Sequence, residues 1–274
     1  MSHYSAGMRF VPFVMIPAAL MLGVAIAAPA EAITNGTADG TDHPEVGALI
    51  ADKPHGDGTW SFCTGTLISP TVFLTAAHCG EDVHKGKDGK KTARVSFAGK
   101  YKKGDKLYTG RYVADSRFDG ERSDLHDMAV VLFDTPIPDI TPATLPTEGL
   151  LDGLKADKTL QTSRFTPVGY GSLNPKKGAH GRRYVYTDAR RQTSISFQAL
   201  TPRWLKLSLD RATKDGSTCF GDSGGPNFLG DRTSHLLVAT TISGDDDACK
   251  ATNLDYRLDT ATARAFLGKF VTLP

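Results

Sequence analysis

Residues 219–226 read Cys219-Phe220-Gly221-Asp222-Ser223-Gly224-Gly225-Pro226. A serine hydroxyl is a weak nucleophile at neutral pH, and it reacts only when a base takes its proton and backbone N–H groups receive the developing oxyanion. Glycines on both sides of Ser223 allow the tight backbone that aims such amides. The stretch therefore predicts an activated serine, and the rest of the chain has to supply its base.

Two upstream segments do so. Leu74-Thr75-Ala76-Ala77-His78-Cys79 carries a histidine, and Asp127-Met128-Ala129-Val130-Val131 sets an aspartate directly before an apolar strand. Asp124, three residues earlier, lacks that adjacency, so Asp127 is the expected partner. Gly221 to Gly225 also satisfies G-x-S-x-G, the strand-to-helix elbow of α/β-hydrolases. That fold needs its acid and histidine after the serine. Only 51 residues follow Ser223, with His235 the sole histidine among them, and no βα alternation is present.

Short β-branched and aromatic runs recur between Gly, Pro and Asp clusters: Val46–Ala51, Phe62–Ile68, Val72–Thr75, Arg94–Ala98, Met128–Phe133, Phe165–Tyr170, Arg183–Thr187, Ser194–Leu200, Trp204–Leu209 and His235–Ser243. Their spacing predicts an all-β sandwich or barrel. A Pro-rich connector, Thr135–Leu154, separates a half holding His78 from a half holding Ser223. Helical periodicity is legible only at the end, where Thr260 can cap a helix with Phe266, Leu267 and Phe270 on one face and Lys269 near its negative end.

The 274 residues are 40% hydrophobic and 23% charged, with a net charge of +2, which excludes a disordered chain and argues against a dedicated nucleic-acid binder. Between His84 and Lys106, however, nine Lys and Arg face only Asp88 and Asp105. That +7 stretch reads as a solvated surface, with an anionic docking surface as the alternative. Residues 1–32 have the pattern of a signal peptide: Arg9, an apolar run from Phe10 to Ala28, and Ala30-Glu31-Ala32 as a cleavage site. An uncleaved anchor is the competing reading, since the run approaches the ~20 residues that span a bilayer. Export would favour disulfides among Cys63, Cys79, Cys219 and Cys249, for which three pairings are possible. Zinc is a poor alternative, because no C-x-x-C pair exists and His78 and Cys79 are adjacent.

Taken together, the His78, Asp127 and Ser223 motifs, in that order, resemble the chymotrypsin/trypsin family of serine endopeptidases, in particular its secreted bacterial members. The resemblance implies two packed six-stranded antiparallel barrels with a C-terminal α-helix: residues 33–140 carrying His78 and Asp127, and residues 141–274 carrying Ser223. It implies that Ser223 is the nucleophile, His78 the general base and then acid, and Asp127 the residue that orients the imidazole. The backbone N–H groups of Gly221 and Ser223 would form the oxyanion hole. Cys63 would pair with Cys79, and Cys219 with Cys249. Ile33 would become the mature amino terminus and pair its α-amine with Asp222. The family default is a monomer acting on protein or peptide substrates, without nucleic acid, stable membrane association, cofactor or metal.

For the substrate pocket the resemblance implies Ser217, Thr218, Ser243 and Gly244. Ser217, six residues before the nucleophile, would lie at the pocket base, and an uncharged base favours cleavage after apolar residues. Ser243 is expected to match the serine that contacts the triad aspartate. Gly244-Asp245-Asp246-Asp247 follows in place of the usual aromatic-Gly pair, and these carboxylates or Asp255 offer a second route to a basic side chain.

Overall fold

The structure, a computed structural model, describes residues 1, 3, 33–119, 126–178, 181–209, 212–213 and 215–274. The expected signal peptide, apart from two of its residues, and Asp124 lie outside them.

Six strands build the first half: β1 (Val46–Ile50), β2 (Ser61–Ser69), β3 (Val72–Thr75), β4 (Lys91–Ser96), β5 (Tyr108–Ala114) and β6 (Ala129–Leu132). Six more build the second: β7 (Arg164–Gly169), β8 (Ile195–Leu200), β9 (Trp204–Ser208), β10 (Pro226–Leu229), β11 (Leu237–Gly244) and β12 (Asn253–Arg257). Each set closes into an antiparallel barrel. The first runs β1-β2-β3-β6-β5-β4 and closes through β4 on β1; the second runs β7-β8-β9-β12-β11-β10 and closes through β10 on β7. Closure leaves no long unpaired edge in either barrel.

Three of these strands are absent from the sequence reading, each for a local reason. β5 holds Gly110 and Arg111, β10 begins on Pro226, and β12 alternates Asn253, Asp255 and Arg257 at buried positions where apolar residues are expected. Arg257 is tolerated inside because its guanidinium donates to both oxygens of Asp259 and to Asp152. Conversely, the run Arg183–Thr187 contributes only Arg183, in the outlying hairpin Lys176–Gly178 with Gly181–Arg183.

Helix α1 (Leu150–Ala156) interrupts the expected connector. Its start is stabilised from elsewhere in the chain, since Asp259 accepts from the Leu151 N–H at 2.8 Å. Helix α2 (Ala261–Leu267) starts at the expected Thr260 cap but ends at Gly268, before Lys269 and Phe270. Thr260 Oγ1 accepts from the Ala263 N–H, and Phe266 and Leu267 are buried.

The seam between the barrels is polar and specific. Asp188 accepts from the N–H groups of Trp60 and Ser61, and buried Arg190 donates to Asp39 and to the Val46 carbonyl. Residues 34–38 cross this seam: Thr37–Ala38 pairs with Arg191–Gln192, and Thr34 pairs with Ser217. Residues 33–38 are thus joined to the second half, although they precede the first.

The basic stretch divides between the two ends of β4. Lys85, Lys87 and Lys90 surround the turn before β4, whereas Lys100, Lys102, Lys103 and Lys106 follow its other end. A six-residue strand separates them by about 20 Å. Lys91 donates to the Gly80 carbonyl and Arg94 pairs with Asp52, which removes both from any shared patch.

Candidate active site

A cleft of about 450 Å³ is lined by His78 from the first barrel and by Thr218, Cys219, Phe220, Gly221, Ser223, Thr241, Ser243, Gly244 and Asn253 from the second. The two barrels therefore bring together the histidine and serine that lie far apart in the chain.

His78 begins a one-turn 3-10 helix, His78–Glu81, immediately after β3. Asp127 lies before β6, and β3 pairs with β6 through Thr75 and Ala129. That pairing sets the two side chains together. Asp127 Oδ2 lies 2.8 Å from His78 Nδ1 and Oδ1 accepts from the His78 N–H at 2.9 Å, with Asp127 fully buried and the imidazole about one-quarter exposed. A carboxylate at Nδ1 keeps the proton there and leaves Nε2 free to accept one.

The Ser223 loop is fixed by its own backbone and by the opposite barrel. Asp222 accepts from the Cys219 N–H, Gly225 donates to the Asp222 carbonyl, and Gly224 donates to Thr241. Gly221 and Gly224 take φ of +95° and +78°; a Cβ on Gly224 would lie 2.3 Å from Thr75 Oγ1. These are left-handed conformations that glycine adopts without strain. Among the described residues, the N–H groups of Gly221 and Ser223 meet no acceptor, so both donors remain available.

Thr64, in the middle of β2, was not marked by the sequence. Its N–H donates to the Ser223 carbonyl, its hydroxyl donates to the Gly221 carbonyl, and the same oxygen accepts from the Tyr170 N–H. One first-barrel residue thus holds the Ser223 loop of the second. A threonine inside a strand is ordinary β composition, so no local signal could separate it from its neighbours.

Cys63–Cys79 and Cys219–Cys249 are bridged, with sulfur separations of 2.01 and 2.06 Å. The first joins β2 to the His78 turn, and the second joins the Ser223 loop to the segment after β11. Cys63, His78 and Cys79 place ligand-type atoms within 4.8 Å of one another, but both sulfurs are spent in the disulfide and offer no thiolate to a metal.

Ser243 departs from its expected contact. It lines the cleft, yet among the described residues Asp127 accepts hydrogen bonds from His78 alone. The pairing of β11 with β12 shifts register between Thr241 and Ser243, where Ile242 is buried, at 3% exposure, and Ser243 is half-buried. Ser217 is also displaced from the cleft surface: it is fully buried, and its hydroxyl donates to Asn253 Oδ1 at 2.7 Å. Thr218 and Gly244 do line the cleft.

Asp222 does not line the cleft. Its carboxylate is fully buried and accepts from Gly171 N–H and Cys219 N–H, both at 2.8 Å. Burial pushes its pKa up to about 7, against the opposing pull of these two N–H groups. Ile33 is buried as well, and Thr34 exchanges backbone hydrogen bonds with Ser217.

Closed twin barrels with a histidine and a serine facing one cleft define a serine-type endopeptidase. Residues 41–264 match the family model described as Trypsin, and the chain belongs to that family. It hydrolyses peptide bonds in protein or peptide substrates.

Proposed function

We propose that the protein is a secreted endopeptidase in which Ser223, His78 and Asp127 form the catalytic triad, switched on by cleavage before Ile33. The observation that carries the triad is the buried Asp127 carboxylate at 2.8 Å from His78 Nδ1, in the cleft that holds Ser223.

His78 Nε2 takes the Ser223 proton as Oγ attacks the scissile carbonyl, and the carbonyl oxygen, now negative, receives the N–H groups of Gly221 and Ser223. The imidazolium then gives its proton to the departing amine, leaving an acyl group on Ser223. Water repeats the sequence with the same base and releases the acid. Asp127 supports the positive imidazolium at each stage without taking its proton. A fluorophosphonate probe should label Ser223 alone, read by peptide mass spectrometry. Labelling elsewhere, or none in a protein cut before Ile33, overturns the assignment.

Thr64→Val tests the loop's support. It keeps the shape but leaves the Tyr170 N–H without its acceptor, so a stability loss of about 1–3 kcal/mol is expected in denaturant unfolding. Loosening of Gly221 should also lower kcat by about tenfold or more, because small displacements near the reacting atoms are costly.

Activation rests on Asp222. In the uncut chain the described residues provide its carboxyl with N–H donors and no cation; a free α-amine at Ile33 supplies the missing charge. The pH signature follows. With a folded pKa near 7 and an unfolded one of 3.8, the proton stabilises the uncut protein fully below about pH 4, and the contribution is lost as pH rises through 7. Thermal unfolding of the uncut protein should therefore show a falling melting temperature across that window. Asp222→Asn should flatten the slope, as should cleavage before Ile33, which lowers the pKa. An unchanged slope in both forms counts against the pairing.

A further inference from the structure

His78 hangs from a two-residue joint, Ala76-Ala77, between the end of β3 and the one-turn helix His78–Glu81. Methyl side chains carry no hydrogen-bonding group, so the joint can be tied down only through its backbone. The helix has no side-chain cap of its own.

Tyr112, on β5, reaches that joint. Its hydroxyl donates to the carbonyls of Ala76 at 2.7 Å and Ala77 at 2.9 Å. The strand register explains the reach: Tyr112 pairs with Val131 on β6, and Val131 pairs with Phe73 on β3. The strand that carries Tyr112, the strand that follows Asp127 and the strand that precedes His78 therefore lie side by side.

Tyr112 is buried, at 6% exposure. A phenylalanine would fill the same volume without burying a hydroxyl, which is costly to bury unless bonded. What the hydroxyl adds is the bond to the joint. Burial and the nearby Asp127 charge push the phenol's pKa above its usual range, so the hydroxyl stays a donor.

The surroundings are shaped to this ring. A Cβ on Gly80 would lie 2.8 Å from a Tyr112 ring carbon and 3.1 Å from its hydroxyl, so the ring occupies the space of a side chain there. Lys91 Nζ, 6.0 Å from the ring centroid, donates to the Gly80 carbonyl at 2.6 Å. Strands β4 and β5 thus hold carbonyls on both sides of His78.

We infer that Tyr112 is a positioning residue for the reaction: its hydroxyl fixes the Ala76-Ala77 joint and thereby sets the His78 imidazole against Asp127 and Ser223. This deepens the reading above and rests on His78 being the base. Asp127 grips His78 itself and the Cys63–Cys79 bridge holds the residue after it, while Tyr112 acts on the two residues before it.

The test is Tyr112→Phe in the protein cut before Ile33, assayed well below its melting temperature. Its kcat and its rate of fluorophosphonate labelling should both fall by about tenfold with KM unchanged, because small displacements of the reacting groups are costly. The proton resonance of the His78–Asp127 hydrogen bond should shift or broaden. Gly80→Ala, which keeps every donor but forces the ring aside, should reproduce these losses and serves if Tyr112→Phe fails to fold. Ile195→Val, a cavity in the core of the second barrel, controls for lost stability and should keep kcat within about twofold. Wild-type kcat in folded Tyr112→Phe, a raised KM with kcat kept, or an unchanged His78–Asp127 resonance overturns the inference. Labelling separates the two levels: a labelled wild type whose variant keeps full kcat refutes the role of Tyr112 alone, and an unlabelled, inactive wild type refutes the triad.

Discussion

If Ser223 is the nucleophile as proposed, alanine in its place should lower kcat toward peptide substrates by about 10⁵–10⁶-fold, the usual scale for removing a triad nucleophile. KM for the same substrates changes little, because the cleft walls that bind the chain are untouched. The fold should tolerate the change. Ser223 is pinned through its carbonyl, which accepts from the Thr64 N–H, and its side chain is absent from that contact. An equal melting temperature with lost turnover is therefore the expected pair of results. Residual activity near wild type would show that another group attacks the carbonyl.

Asparagine in place of Asp127 should cost about 10⁴-fold in kcat, with the geometry retained. The reason is the direction of one proton. Asp127 accepts at both oxygens, from the His78 N–H and from Nδ1. An amide that keeps its oxygen on the backbone N–H must turn its NH₂ toward Nδ1. The imidazole then holds its proton on Nε2, where it cannot accept from Ser223. The loss should be partly relieved at high pH, where hydroxide assists removal of the serine proton. A variant with unchanged kcat at neutral pH would remove Asp127 from the mechanism.

The order of His78, Asp127 and Ser223 was legible because each lies in a local run whose neighbours constrain it: an alanine pair, an apolar strand, a set of glycines. Most barrel strands were legible from β-branched runs, and both disulfide pairings agree with those the resemblance implied. What escaped were positions whose meaning comes from the other side of a barrel. Thr64 looks like any strand threonine until Ser223 is placed above it. β12 looks too polar for a strand until Asp255 meets Asn227 and Arg257 meets Asp259. α1 is seven residues long with Gly153 at its centre, and its stabilising carboxylate comes from Asp259, more than a hundred positions away. Ser243 lines the cleft beside a local register shift, and such a shift leaves no trace in residue spacing.

The two barrels repeat one strand order, but they do not share the site equally: one carries His78 and Asp127, the other Ser223 and the N–H groups of Gly221 and Ser223. Neither half is a smaller enzyme. Turnover is therefore a readout of docking, and substitutions along the joint, at Asp188, Arg190 or Thr64, should slow the reaction at temperatures where each barrel is still folded. A fall in catalytic rate without unfolding should then report that the halves are no longer correctly seated.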